Sequence, residues 1–114
     1  MKKVFYLKTC DTCKRIMSEF DLTGFDLREI KSNPISVEEL EQLRTFTSSY
    51  EDLLNKRSQK YKLIKNKNLS EEELKQEILQ EYTYLKRPIF QFTERVFIGN
   101  SKKGIAELKS FLGN

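Results

Sequence analysis

The chain has 114 residues, 38% of them hydrophobic and 33% charged, and a formal net charge of +4. This length allows one domain with a single hydrophobic core and is too short for two. The sequence contains no histidine, which excludes serine–histidine triads, cysteine–histidine proteases and histidine-containing metal sites.

The sequence also lacks the signals of membrane insertion and secretion. No apolar run approaches the roughly 20 residues that a membrane span needs. The N-terminus begins directly with a strand-like segment, without a charged and then apolar leader. We therefore expect a soluble cytoplasmic protein, in a compartment that keeps thiols reduced.

The first third of the chain predicts a β-α-β unit. Residues 3–7 form an apolar run typical of a buried strand, and residues 11–20 have helical periodicity. Residues 25–30 alternate in the way of a second strand, and an Asn-Pro pair then breaks the chain. Because the crossover between the strands is helical, the strands should be parallel. The helix should bury Ile16, Met17 and Phe20.

The middle of the chain predicts helices. The segments SVEE, from residue 36, and SEEE, from residue 70, are capping boxes, in which a serine and a glutamate satisfy free N–H groups of the first turn. They predict helices over residues 36–45 and 70–82, with a short helix at residues 50–54 between them. The inward-facing residues should be Val37, Leu40, Leu43, Leu74, Ile78 and Leu79.

The last part of the chain returns to the periodicity of strands. Residues 89–92 and 96–98 predict an antiparallel pair around a turn, and a final helix should follow the Gly-Asn-Ser segment at residues 99–101. We expect the aromatic residues of these strands in the core and not as a ligand platform. The apolar positions are Phe90, Phe92 and Phe97 in the strands and Ile105, Leu108 and Leu112 in the helix.

The predicted order is β-α-β, a helical middle and β-β-α, which is a thioredoxin-like α/β plan. We expect a single domain over residues 1–114 with a helical insertion at about residues 36–83.

The two cysteines of the chain, Cys10 and Cys13, lie where the first strand meets the first helix. The free N–H groups and the positive end of a helix favour a thiolate there, and Lys8, Lys14 and Arg15 add positive potential. Such surroundings typically lower a cysteine pKa from about 8.5 to roughly 3.5–7.5. We interpret Cys10 as a nucleophile and the more sheltered Cys13 as the thiol that resolves a mixed disulfide.

Two other interpretations of the cysteine pair remain open. The pair is half of a zinc site if carboxylates or another subunit complete it, although structural zinc normally takes four Cys or His ligands. Alternatively, the cysteines pack as small apolar groups. The position between a strand and a helix favours redox chemistry over both, and we expect no bound metal.

Four segments together resemble the arsenate reductase (ArsC)/Spx family in order and spacing. They are FY and CDTCKR within residues 5–15, LLNKRS at 53–58, LKRPI at 85–89 and VFIG at 96–99. The resemblance extends over nearly the whole chain. By eye the chain is most similar to the small ArsC-like thiol reductases, which share the Cys-Asp-Thr start, the Leu-Leu-Asn-x-Arg segment and Lys-Arg-Pro.

The resemblance implies an oxidoreductase with a thioredoxin fold that reduces arsenate or a disulfide. In the arsenate reductases of this family a cysteine attacks arsenate and arginines hold the oxyanion, and the matching residues are Cys10, Arg57 and Arg87. Guanidinium groups suit this role because they bind tetrahedral oxyanions bidentately. The resemblance also implies a cis bond between Arg87 and Pro88. The expected substrate-binding residues are Lys8, Thr12, Lys14, Arg57, Arg87 and Pro88.

The resemblance implies no bound cofactor, with glutathione or thioredoxin as the external reductant and glutaredoxin or thioredoxin as protein partner. The arsenate reductases carry a further arginine where this chain has Ile98 and Gly99, and Arg95, at the start of that strand, is not in the matching place. The CxxC pair is typical of the Spx branch. These two differences favour dithiol redox chemistry over specialisation for an oxyanion.

The alternative function is that of an Spx-like transcription regulator. Such proteins bind the C-terminal domain of the RNA polymerase α subunit and use the CxxC as an oxidation switch. Their pattern has a glycine near the position of Ser49, and its replacement here weakens this alternative. An enzyme should turn over with a thiol donor, whereas a regulator should bind the α subunit and respond to oxidation without turnover. The substrate, the reductant and the oligomeric state stay open.

A basic segment, residues 56–67, carries six cations. In a nucleic-acid-binding protein they would contact phosphates, with a steep dependence on salt. We favour a solvated loop in which Arg57 turns toward the thiol, because a net charge of +4 says little about partners. Direct binding of nucleic acid is therefore not expected. The cations are Lys56, Arg57, Lys60, Lys62, Lys65 and Lys67.

Overall fold

The computed structural model describes residues Met1–Gly113. These residues form two compact units: the first combines Met1–Asn33 with the segment from Arg87 onward, and the second is Pro34–Lys86. Across the described residues, every helix is too short or too polar to cross a bilayer.

The described part of the chain contains four strands and four α-helices in the predicted order, which is β-α-β, a helical middle and β-β-α. The strands are Lys2–Tyr6 (β1), Asp26–Glu29 (β2), Ile89–Phe92 (β3) and Val96–Ile98 (β4), and the α-helices are Asp11–Met17 (α1), Val37–Arg44 (α2), Glu71–Gln80 (α3) and Lys102–Phe111 (α4). The short 3-10 helices are Tyr50–Leu53, Gln59–Leu63 and Tyr82–Tyr84.

The first unit contains a mixed sheet with the strand order β2-β1-β3-β4. Strand β1 pairs with β2 in parallel, as the short crossover predicts, and with β3 in the antiparallel direction. Strands β3 and β4 form the predicted antiparallel pair. Because β1 lies between β2 and β3, the residues that follow β1 lie near the end of β2 and the start of β3.

One face of this sheet forms the core together with α1 and α4. The ring centroids of Phe20 and Phe90 are 5.4 Å apart, and the Phe92 ring meets Phe97 edge-on at 5.9 Å. Burying one such side chain contributes roughly 1.5–3 kcal/mol. The aromatic residues of β3 and β4 are therefore core residues, as predicted. The buried cluster comprises Val4, Ile16, Phe20, Phe90, Phe92, Phe97 and Leu108.

Helix α1 is shorter than its predicted span of residues 11–20. The N–H groups of Glu19 and Phe20 bond to the carbonyls of Ile16 and Met17, three residues back. This tighter pattern ends the α-helix at Met17 while still bringing Phe20 into the core.

The second unit contains α2 and α3, and both predicted capping boxes are present, at Ser36 with Glu39 and at Ser70 with Glu73. Leu40, Leu43 and Ile78 are buried as predicted, and Leu74 and Leu79 are half-buried. The prediction for Val37 is wrong, since it is 43% exposed. As the first residue of α2, Val37 directs its side chain beyond the end of the helix, because Cα–Cβ bonds tilt toward the N-terminus.

The predicted helices at residues 50–54 and 70–82 also differ in detail. The first is the 3-10 helix Tyr50–Leu53, and the second ends at Gln80 because Glu81 is extended, with φ −133° and ψ 102°. The chain continues as the 3-10 helix Tyr82–Tyr84. Another 3-10 helix, Gln59–Leu63, lies within the basic segment, where a loop was predicted.

Candidate active site

Cys10 occupies the N-cap position of α1 in an extended conformation, with φ −93° and ψ 109°. Its backbone N–H donates to the carbonyl of Leu7 at 3.0 Å, and its carbonyl accepts from Lys14 at 3.1 Å. Both cysteines are free; Cys10 is partly exposed, whereas Cys13 is 0% exposed. The junction of β1 and α1 therefore presents one accessible thiol and shelters another.

The pKa of the Cys10 thiol is lowered from its ordinary value. Burial is the largest single influence and opposes ionisation, but the N–H and S–H groups of Cys13 and the Arg87 guanidinium together outweigh it. The N–H of Cys13 acts through its proximity, since the Cys10 side chain forms no capping hydrogen bond. Cys10 is thus the thiol that ionises more readily, and the thiolate is the nucleophilic form.

The Cys13 thiol has the opposite character, because burial raises its pKa to about 12. The hydrogen bond that its S–H donates to Cys10 and the negative charge of the Cys10 thiolate contribute to this rise, while the backbone N–H of Leu7 and the charge of Arg87 oppose it. The pair therefore consists of one acidic, accessible thiol and one protonated, buried thiol.

Arg87 reaches Cys10 through strand pairing. Strand β3 runs antiparallel to β1 with Ile89 opposite Phe5, so Arg87 and Pro88 lie at the end of β1 from which the chain leads to Cys10. The Arg87–Pro88 bond is cis, as the resemblance implies. The carbonyl of Pro88 accepts the backbone N–H of Gly99 at 2.9 Å, which ties this turn to the end of β4.

The lysines expected near the thiol have exposed side chains. Lys8, Lys14 and Arg15 are exposed and Thr12 is half-buried. The cation among the main influences on the Cys10 pKa is instead Arg87. Residue spacing alone predicts only cations next to the thiol in the chain, whereas Arg87, which the family resemblance assigns to the site, comes from the segment before β3.

Glu29, at the end of β2, was not expected to belong to the site. Its Oε2 atom accepts the backbone N–H of Lys8 at 2.9 Å. Its Oε1 atom accepts the backbone N–H groups of Lys31, at 3.1 Å, and Ser32, at 2.8 Å, and the Ser32 hydroxyl at 2.8 Å. These donors, led by Lys8, lower the Glu29 pKa to about 2. The sequence signal was weak: an acidic residue at the end of a strand, before a polar turn.

Arg57 belongs to the second unit, where its exposed side chain follows the 3-10 helix Tyr50–Leu53. Its backbone N–H donates to Oδ1 of Asn55 at 3.1 Å. Asn55 in turn donates its side-chain amide to the carbonyl of Thr83 at 3.1 Å and its backbone N–H to that of Tyr84 at 2.7 Å. Asn55 thus fixes the backbone that carries Arg57. The role of Arg57 in substrate binding stays a prediction.

Other cations of the chain are engaged in local contacts. Lys56 pairs with Glu51 at 2.7 Å and Lys60 pairs with Glu81 at 2.8 Å, so ion pairs compensate part of the basic segment. The Arg95 guanidinium stacks on the rings of Phe97, at 4.6 Å, and Phe111, at 5.4 Å. Within Met1–Gly113, no group of three or more Cys, Asp or Glu residues is arranged to hold a metal ion.

Comparison with known proteins places these features in a family context. The sequence profile of the ArsC family matches residues 5–108. No curated protein sequence matches the chain.

Several solved structures share the fold. A provisionally named arsenate reductase from Yersinia pestis has a TM-score of 0.80 at 18% identity, over 94% of this chain and 99% of that one. An arsenate reductase from Vibrio cholerae has a TM-score of 0.75 at 18% identity, over 93% and 95%. An ArsC-related protein from Brucella melitensis has a TM-score of 0.71 at 17% identity, over 99% and 95%. Together with the profile, they confirm the thioredoxin-like α/β fold class.

Proposed function

This chain belongs to the ArsC family, and we propose that it is a thiol-dependent oxidoreductase in which the Cys10 thiolate attacks arsenate or a disulfide. The observation that carries the proposal is the inequality of the two thiols. Cys10 is partly exposed, with a lowered pKa beside Arg87, while Cys13 is buried, with a pKa raised to about 12. A nucleophile and a resolving thiol need this difference in reactivity.

With arsenate, the Cys10 thiolate attacks As(V), a sulfur–arsenic bond forms, and a hydroxyl group leaves as water after protonation. A second thiol, Cys13 or glutathione, then attacks the Cys10 sulfur. The sulfur–sulfur bond forms as the sulfur–arsenic bond breaks, and the electron pair of the broken bond stays on arsenic. Arsenic is thereby reduced to As(III) and leaves as arsenite, while the two thiols are oxidised to a disulfide.

With a disulfide substrate, the same thiolate attacks one sulfur and expels the other as a thiolate. The resulting mixed disulfide is resolved by Cys13 or by an external thiol. Glutathione with glutaredoxin, or thioredoxin, then returns two electrons, so no bound cofactor is required. All these reactants are expected in a reducing cytoplasm.

Formation of the adduct activates Cys13 in this scheme. The Cys10 thiolate is among the groups that raise the Cys13 pKa. Once the Cys10 sulfur is bonded to a substrate sulfur, it no longer carries that negative charge, so the electrostatic cost of ionising Cys13 falls; in the arsenic adduct the oxyanion keeps negative charge nearby, and the arginines have to neutralise it. In the mixed disulfide the resolving thiol therefore becomes more acidic at the step that needs it.

Arginines stabilise the negative charge of an oxyanion in this proposal. Arg87 already lies near enough to the Cys10 sulfur to stabilise its charge, and we assign Arg57 as a second guanidinium on the family resemblance. Arg95 is occupied by stacking on aromatic rings. This engagement supports the view that two arginines serve the site, with Lys8, Thr12, Lys14 and Pro88 as the other proposed substrate-binding residues.

Arsenate-dependent oxidation of NADPH tests the proposal. The assay is run in parallel with glutathione and glutaredoxin and with thioredoxin and thioredoxin reductase, and Cys10→Ser serves as the blank. We expect turnover that is lost in the variant, and the active coupling system identifies the reductant. A disulfide substrate is assayed in the same way. Absence of Cys10-dependent turnover with both substrates contradicts the proposal.

The two free thiols also support a second candidate function, an Spx-like regulator switched by oxidation. Formation of a bond between Cys10 and the buried Cys13 would change the start of α1. The test is binding to the C-terminal domain of the RNA polymerase α subunit, with reduced and with oxidised protein. Binding that depends on oxidation, without turnover, favours the regulator.

A further inference from the structure

We propose that Glu29 is a positioning residue for Cys10. The Glu29 carboxylate holds the turn of residues 7–10 so that the Cys10 thiol faces Arg87 and the N–H of Cys13. The inference rests on the proposed role of Cys10 as the nucleophile. Glu29 does not touch the reacting atoms in this proposal and acts through the backbone of Lys8.

The backbone fixes Glu29 beside the end of β1. Glu29 is the partner of Tyr6 in the parallel register of β1 and β2, and the N–H of Ile30 donates to the carbonyl of Tyr6 at 3.0 Å. From this position the side chain reaches the next part of the chain, where Oε2 accepts the N–H of Lys8 at 2.9 Å. The carboxylate therefore connects β2 to the turn that leads from β1 to Cys10.

The other carboxylate oxygen holds the side chain in this orientation. Oε1 accepts two backbone N–H groups and one hydroxyl from the turn after β2, contributed by Lys31 and Ser32. A carboxylate has enough lone pairs for all four hydrogen bonds, whereas an amide has a single acceptor oxygen. Hydrogen bonds to a charged acceptor typically contribute more than neutral ones. Glu29 is thus held from one side and holds Lys8 on the other.

The turn held by Glu29 determines where the Cys10 sulfur lies. The N–H of Cys10 donates to the carbonyl of Leu7 at 3.0 Å, with Lys8 inside the same turn. The N–H of Leu7 faces the sulfur of Cys13. A shift of this turn therefore moves Cys10 relative to the groups that favour its thiolate, which are Cys13 and Arg87.

Two substitutions separate positioning from charge. Glu29→Gln removes a negative charge, which by itself lowers the pKa of a nearby thiol. Loss of positioning instead raises it, since the Cys10 sulfur then loses its favourable contacts. Glu29→Asp keeps the charge, but its side chain is one methylene shorter and cannot bridge both turns. A positioning role therefore predicts that the Cys10 pKa rises in both variants. An effect of charge alone predicts that the Cys10 pKa falls in Glu29→Gln and does not change in Glu29→Asp.

The measurement is the rate of Cys10 alkylation by iodoacetamide as a function of pH, with the modified peptide identified by mass spectrometry. In both variants we expect the apparent pKa to rise and the rate near pH 6.5 to fall by about three- to tenfold. Circular dichroism establishes that each variant is folded, and if one fails to fold the other decides. An unchanged or lowered Cys10 pKa in the folded variants overturns the inference.

Glu71→Gln is the matched control. The Glu71 carboxylate also accepts several hydrogen bonds, from Arg44, Ser49 and Tyr50, but within the second unit. We expect its alkylation profile to equal that of the unaltered protein. If the apparent Cys10 pKa rises as much in Glu71→Gln as in the Glu29 variants, the inference is contradicted. Alkylation needs no substrate, so its outcome does not depend on turnover. Loss of the proposed function and loss of the positioning role are therefore distinguishable.

Discussion

The guanidinium of Arg87 lies near enough to the Cys10 sulfur to stabilise its thiolate by charge and by hydrogen bonding. The two residues are far apart in the sequence, and the antiparallel pairing of β1 with β3 brings them together. A cation from the turn just before the neighbouring strand β3 therefore complements the N-terminal end of α1. This arrangement explains why the first cysteine of the pair is the acidic one.

Replacement of Arg87 tests this relationship. We expect Arg87→Ala to raise the Cys10 pKa and to lower kcat/KM by about 10²–10³-fold, as loss of a group that stabilises developing negative charge does. Arg87→Lys keeps the charge without the planar fork and should retain intermediate activity. Steady-state kinetics and the pH profile of alkylation measure both effects. Arg15→Ala, on an exposed part of α1, serves as the control. Unchanged turnover in Arg87→Ala would show that the role assigned to Arg87 is wrong.

The two thiols should differ in accessibility as well as acidity. In the native protein we expect iodoacetamide to modify Cys10 quickly and Cys13 hardly at all, because Cys13 is 0% exposed with a pKa raised to about 12. Both should react at similar rates in urea. Mass spectrometry of peptides after timed labelling distinguishes the two sites. Equal labelling in the folded protein would contradict the assignment of Cys13 as the sheltered thiol.

Asn55 should influence turnover through Arg57. Its side chain accepts the N–H of Arg57 and donates to Thr83, so Asn55→Ala should loosen the backbone under the guanidinium. We expect kcat/KM to fall several-fold in Asn55→Ala and further in Arg57→Ala. If Asn55 acts through Arg57, the double variant should be no slower than Arg57→Ala alone.

The same variants separate this effect from general destabilisation. Thermal unfolding should show a loss of stability from Asn55→Ala whether or not Arg57 is present. Fully additive losses in kcat/KM would mean that Asn55 acts independently of Arg57. A normal rate in Arg57→Ala would instead remove the basis for the substrate-binding role of Arg57.

Glu29 should make the stability of the fold depend on pH. Its pKa is lowered to about 2 in the folded protein, so its contribution is present above the unfolded-state pKa. That contribution is lost as the pH falls from about 4.5 toward 2. We expect this contribution to the free energy of unfolding to be roughly 1–2 kcal/mol, allowing for solvent screening. Urea unfolding at pH 6 and at pH 3 measures this effect. Between these two pH values, the free energy of unfolding should fall less in Glu29→Gln than in the unaltered protein.

The control for this prediction is Glu94→Gln, an exposed position in the turn between β3 and β4. It should leave the pH dependence of unfolding unchanged. If the free energy of unfolding falls as much between pH 6 and pH 3 in Glu29→Gln as in the unaltered protein, the acid sensitivity belongs to other carboxylates.

The sequence by itself determined the elements and their order, because periodicity and capping are local. The alternation of Phe90 and Phe92, the capping boxes at Ser36 and Ser70, and the position of Cys10 before a helix all depend on neighbours within a few residues. The same local reasoning misjudged Val37, whose exposure depends on its place at the end of α2. It also extended α1 to Phe20, past the point where the hydrogen bonding tightens.

Only the tertiary structure decided which groups surround the thiol. Arg87 is a neighbour of Cys10 because β3 pairs with β1, and Glu29 reaches Lys8 because β2 pairs with β1 on its other side. The sequence predicted that Cys13 is the more sheltered thiol, but the extent of its burial depends on packing within the whole first unit. Strand pairing and burial are non-local, so residue spacing alone predicted thiol chemistry at the CxxC, the family resemblance added Arg87, and neither pointed to Glu29.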